Sequence, residues 1–242
     1  VNYKCKFKNN GLLQQTKVGG AICTQGIKKV INILCLFREN LAISGGAVYG
    51  RDIEVPMDHN TNRKSIVKNI LCTFVGNTGT HDSGAFSIMF MSSIYLVKNY
   101  FSKNTGESQS GTFSIRQGIR IIIAYSILKD DAYKERSPTF SIFGVQFVSL
   151  KQCTILISST YKSGSTLDVE LAKDIQVSHV VVFFDFNTVS FKPWFILKVS
   201  SDKVSMSSVW FRNVMYDITF LDISANIVTL ETVHSLIFQT YL

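Results

Sequence analysis

Two sets of side chains in this sequence have types and spacings suited to chemistry: acids and thiols. Asp174 and Asp202 stand 28 residues apart, with Lys203 directly after the second acid. On neighbouring turns of a coil, two carboxylates, or an acid and a lysine, can share general acid and general base work on a glycosidic linkage. Asp131 and Asp185 occupy one register but skip a turn between them, and the adjacent Asp130 and Asp131 point apart on any extended segment. The catalytic candidates are therefore Asp174, Asp202 and Lys203, and the rest of the sequence weighs against an enzyme. Cys5, Cys35, Cys72 and Cys153 fall in a second register, with Asn99 and Ser126 at the intervening positions. Stacked thiols are a redox or metal chemistry in outline. The missing Cys-x-x-Cys and Cys/His spacings make them a row of small buried side chains instead. No metal and no cofactor is expected. His59, His81, His179 and His234 share no register and read as surface or loop residues.

What brings such distant residues together is a repeat of about 27 residues. Phe86, Phe113, Phe140, Leu167, Trp194 and Leu221 keep that period, and two places on so do Ile88, Ile115, Ile142, Val169, Ile196 and Ile223. Self-similarity of this length marks a solenoid, whose units bury their apolar faces only against their neighbours. A Phe-x-x-Asn motif opens the units at Phe7 to Asn10, Phe37 to Asn40, Phe74 to Asn77 and Phe101 to Asn104, and decays at Leu128 to Asp131 and Ile155 to Ser158. A turn of the type Gly19-Gly20-Ala21, Gly45-Gly46-Ala47, Ser83-Gly84-Ala85 or Ser110-Gly111-Thr112 follows. About ten extra residues within 51–64 read as a loop leaving the wall.

Between the turns, apolar residues alternate with polar ones, as in Ile70, Cys72, Phe74 and then Ile94, Leu96. Period two makes these strands, and no stretch shows the 3.6 period that helical repeats need. Short strands running in one direction, one turn per unit, build a parallel β-helix. The handedness of parallel crossovers makes the expected coil right-handed, with about eight rungs. The whole chain, 1–242, reads as one β-helix segment of an all-β protein. Asn10, Asn40, Asn77, Asn104, Asp131, Ser158 and Asp185 are the expected corner ladder.

The 242 residues are 46% hydrophobic, which excludes a disordered chain. Twenty-five basic against 17 acidic residues leave +8, which favours anionic surroundings such as acidic glycans. The basic residues are dispersed and no base-stacking stripe accompanies them, so specific nucleic-acid binding is not expected. No apolar run is long enough for a transmembrane segment. Ser87, Ser114, Ser141, Asp168, Phe195 and Asp222 are expected as a polar strip on the outer wall. Phe183, Phe184, Phe186, Phe191, Phe195, Trp210 and Phe211 exceed what the interior columns require, and they are the candidate surface for a protein partner. The chain opens on Val1 and ends within an apparent strand, so further rungs or other chains are expected against its ends.

Alternating Phe-x-x-Asn and Gly-Gly-Ala-Ile copies resemble the passenger domains of the chlamydial polymorphic outer membrane proteins. Similar repeats occur in large surface proteins of some protists. The likeness covers Phe7 to about Ile115 and then fades into a generic pectin-lyase-like β-helix pattern. It implies a secreted or surface-displayed β-helix, extracellular, acting as an adhesin or a structural stalk. The alternatives are a glycan lyase or hydrolase of the pectin-lyase type and a structural rod of a virion or intracellular assembly. The Asn-Thr-Asp, Gly-His-Gly and Arg-Ile-Lys runs associated with pectin-degrading β-helices are absent.

Overall fold

Ile, Val and Phe alternate with polar residues between the Gly and Asn corners, and they fold into short strands that pair in parallel with the strand one turn away. The structure is a computed structural model and describes residues 1–11, 16–26, 28–52, 65–106, 110–129, 140–157, 165–184, 195–214 and 219–237. Among these there is no helix, and the strands stack into a β-solenoid.

Three strand segments per turn form three walls. In the first wall Ile22, Val48, Phe86, Phe113, Phe140 and Leu167 stand in register. Val30, Val67, Ile94, Ile121, Val148 and Ile175 do so in the second. The third holds Phe7, Phe37, Phe74, Phe101, Leu128 and Ile155. A short fourth sheet, Thr16–Val18, Leu41–Ser44, Thr78–Gly79 and Thr105–Gly106, accompanies the turns that carry Phe-x-x-Asn.

Stacking turns residue columns into physical ladders. The rings of Phe7, Phe37, Phe74 and Phe101 lie nearly parallel at 4.9, 4.6 and 5.0 Å between centroids. Phe86 fills the space beside them, tilted 52° against Phe74 at 4.5 Å. The asparagine column is a chain of amides. Asn10 Nδ2 donates to Asn40 Oδ1, Asn40 Nδ2 to Asn77 Oδ1, and Asn77 Nδ2 to Asn104 Oδ1, each at 2.8 Å. The second proton of each interior amide goes to the Phe carbonyl of the preceding turn: Asn40 to Phe7, Asn77 to Phe37 and Asn104 to Phe74. The motif is therefore one device, in which the ring fills the core and the amide closes the corner beside it. Asp131, Ser158 and Asp185 lie outside the described residues.

The other corners are made by single left-handed residues. Lys4, Leu34, Leu71, Lys98, Tyr125 and Gln152 have φ between 50° and 54° and stack between the second and third walls. Phe90, Gln117, Gly144 and Leu171 bend the chain between the first and second, which lets Phe113–Ala124 and Phe140–Lys151 run through the bend unbroken. The Gly-Gly turn has a steric cause. Gly45 has φ +62°, and a Cβ on Gly46 would stand 2.3 Å from the Gly84 carbonyl oxygen and 2.4 Å from that of Thr78.

Lys29 pairs with Ile66 and Val48 with Phe86, which leaves the extra residues between Asp52 and Ser65; of the expected loop 51–64, residues 53–64 lie outside the described residues. One sequence expectation changes here, because the strict period breaks once. Leu167 pairs with Leu197, and Leu197 with Leu221, so steps of 30 and 24 residues replace two of 27. Leu197 and Val199 take the places expected for Trp194 and Ile196. The outward residue between them is then Lys198 rather than Phe195, set between Asp168 and Asp222 on the neighbouring strands. A cation between two carboxylates is favoured over a phenyl ring there, and Val199 is buried in the core.

Candidate functional site

The acids expected to cooperate are placed differently. Asp174, on the second wall, stands opposite Lys203, not Asp202. Its Oδ2 accepts from Gln176 Nε2 at 3.3 Å, and its buried Oδ1 has no hydrogen-bond partner among the described residues. Asp202 and Lys203 are both exposed. Asp202 lines a shallow hollow of about 380 Å³ with Leu171, Lys173, Ser201 and Asn226, next to the Leu171 bend. The strand register thus brings Asp174 and Lys203 together and leaves Asp202 one position along the strand.

The denser charge cluster was not legible in the 27-residue period. Lys198 Nζ lies 2.5 Å from Glu170 and 3.8 Å from Asp168. Its pKa is raised, first by the hydrogen bond to Glu170 and then by the negative charge of Asp168, Glu170 and Asp222. The signal was present in the sequence, since Asp168 and Asp222 flank a position that a shift of three residues fills with lysine.

A buried acid was also missed. Ser87 and Ser114, expected on the solvent side, are 0% and 1% exposed, because the turn carrying Asp82 folds over them. Ser87 Oγ donates to Asp82 Oδ2, and Asp82 is itself buried. Burial pushes its carboxyl above the usual aspartate value. The Ser87 hydrogen bond, Arg116 and His81 act in the opposite sense. Asp82 Oδ1 and Ser110 Oγ are buried with no hydrogen-bond partner among the described residues. An aspartate one residue ahead of a Ser-Gly turn, with serine at the start of the next strand, was the available clue.

The thiol column forms as expected. Cys35, Cys72 and Cys153 are buried, Cys5 is partly covered and Cys23, on another wall, is exposed; all five are free thiols. Desolvation pushes the Cys72 and Cys153 thiols up to about 11. Cys72 is held by its neighbours, its N–H donating to Asn99 Oδ1 at 2.8 Å.

The aromatic patch divides. Phe211 lies in the interior column between Val182 and Ser235, 3% exposed, and so leaves the expected partner surface. Trp210 and Phe183 face outward on the third wall. Trp210 stacks on His234 at 4.2 Å, and Arg212 lies over Phe183 and Trp210 at 5.5 and 6.0 Å. Phe184 and Phe195 belong to strands through their backbones, while Phe186 and Phe191 lie outside the described residues. Two more such pairs sit on the second wall: Lys68 over Tyr95 and Arg120 over Phe147, each at 4.9 Å.

No helix among the described residues is long and apolar enough to cross a membrane. Comparison with protein-family models, with curated proteins and with solved structures finds no match for this chain.

Proposed function

We propose that this chain is a structural or adhesive element of an extracellular or cell-surface assembly, built as a right-handed β-helix of about eight rungs. The observation that carries the reading is the double ladder of Phe7, Phe37, Phe74 and Phe101 beside Asn10, Asn40, Asn77 and Asn104. Such ladders commit repeated residues to axial continuity and leave the outer wall free to vary. That division suits a stiff stalk that presents a surface. The crossover rule for parallel strands supports the right-handed sense, and the likeness to surface-displayed passenger domains supports the location. The partners of this reading are other protein chains and anionic glycans.

A glycan lyase is the second reading, favoured by one observation: Asp174 opposite Lys203, with Asp202 in the adjoining hollow. One experiment separates the two. The chain, coupled to beads, is offered cells and immobilised acidic polysaccharides, and in parallel it is incubated with the same polysaccharides in solution. Saturable bead adhesion without release of unsaturated ends supports the adhesive element. Turnover that an Asp174→Asn variant abolishes would establish the lyase in its place.

A further inference from the structure

The corner between the second and third walls carries side chains that the fold itself does not require. Leu34, Leu71 and Tyr125 adopt φ 54°, a region that costs a side-chain-bearing residue about 1 kcal/mol and in which Asn or Gly is the inexpensive choice. Burial offsets only part of that cost, since they remain 41%, 46% and 49% exposed. Tyr3, Tyr100 and Ile127 stand beside them, also exposed. Backbone hydrogen bonds from Leu34 to Ile70, Leu71 to Val97 and Tyr125 to Lys151 keep the column straight. From Lys4 to Tyr125 it spans four strand separations, about 19 Å.

Charge along this ridge has one sign. Lys4 and Lys98 occupy the same column as the leucines, and Lys6 follows it on the third wall, all exposed. A convex ridge offers no groove to a small ligand. Acidic glycans would use the tyrosines and the lysines but have no use for two exposed leucines.

We infer that this corner docks on an anionic phospholipid bilayer. Leu34, Leu71 and Ile127 enter the boundary between headgroups and acyl chains, the tyrosines sit at headgroup level, and Lys4, Lys6 and Lys98 face the phosphates. This inference rests on the exposed corner and not on the adhesive reading. Failure of bead adhesion therefore leaves it intact, and its own failure leaves the adhesive element intact.

The test is co-sedimentation of the full chain with phosphatidylcholine vesicles, with and without about a third phosphatidylserine. Binding to the anionic vesicles that weakens at high salt is expected. A Leu34→Asn, Leu71→Asn, Tyr125→Asn variant is expected to lose at least about tenfold in partitioning. Its urea midpoint should be unchanged or higher, because asparagine tolerates the left-handed backbone at all three positions. A Lys4→Gln, Lys98→Gln variant should lose the preference for phosphatidylserine while keeping the fold. No binding of the unaltered chain, or triple-variant binding within about twofold of it, would overturn the inference. Capture on polyglutamate beads without vesicle binding would overturn it as well, in favour of an acidic polypeptide.

Discussion

Replacing Asn77 by alanine tests whether the corner ladder holds this protein together or merely decorates it. Asn77 is fully buried. Its Oδ1 accepts from the Asn40 backbone N–H at 3.2 Å and from Asn40 Nδ2 at 2.8 Å. Its Nδ2 donates to the Phe37 carbonyl at 3.1 Å and to Asn104 Oδ1 at 2.8 Å. Alanine leaves both Asn40 donors and one bond to the Phe37 carbonyl unmade. At about 1–3 kcal/mol for each of these three groups, the expected loss is about 3–9 kcal/mol, a large part of the stability of an ordinary domain. Asn10 is the internal control. It is only part-buried and its side chain donates once, to Asn40 Oδ1, so Asn10→Ala should cost about 1 kcal/mol or less. Urea unfolding of both variants gives the comparison, with the m-value watched for loss of cooperativity along the solenoid. Hydrogen exchange at the Asn40 amide supplies a local readout, since its acceptor is the deleted oxygen. Equal losses for the two variants, or an Asn40 amide as protected in Asn77→Ala as before, would refute the reasoning.

Gly46→Ala should destabilise by about 2–4 kcal/mol, because the new Cβ meets two backbone oxygens that cannot withdraw; a wild-type urea midpoint would dismiss the steric account of the Gly-Gly turn. Cys23 should react with maleimide at neutral pH while Cys72 and Cys153 resist until unfolding, which mass spectrometry of partly labelled protein reads directly. The two buried thiols also predict an alkaline limit. With folded values of about 11 against an ordinary 9.0, the unfolded chain ionises first, and stability falls as pH rises through that window. For Asp82 the folded carboxyl titrates above its ordinary 3.8, so its contribution is fully present below that value and is lost as pH rises through the folded value. Asp82→Asn should therefore remove part of the stability difference between mildly acidic and neutral solution, and an unchanged pH profile by thermal unfolding would count against the buried charge.

The walls and the cores were legible because they repeat. A stacked fold sets the same problem at every turn, so Phe37, Phe74 and Phe101 answer it with one residue type, and the four Phe-x-x-Asn copies announce both the core ring and the corner amide. Strand alternation fixed which side chains face inward, and the thiol column followed from the same register. The charge sites were not legible, because they arise where the repeat fails. Leu197 takes the register position that the period assigned to Trp194, and only the paired strands reveal that Lys198 consequently falls between Asp168 and Asp222.

Two further features needed three dimensions. Ser87 and Ser114 alternate as outward residues should, yet the Asp82 turn closes over them, and no local pattern reports what a neighbouring turn covers. Leu34, Leu71 and Tyr125 look unremarkable in one dimension, and their meaning comes from left-handed backbone and exposure together. The amino-acid order by itself determined a parallel stack of period about 27 and the identity of its inner columns, since burial against identical neighbours needs only periodicity. The tertiary structure alone decided which outer residues meet, because contacts across turns depend on a register that a shift of three residues rewrites.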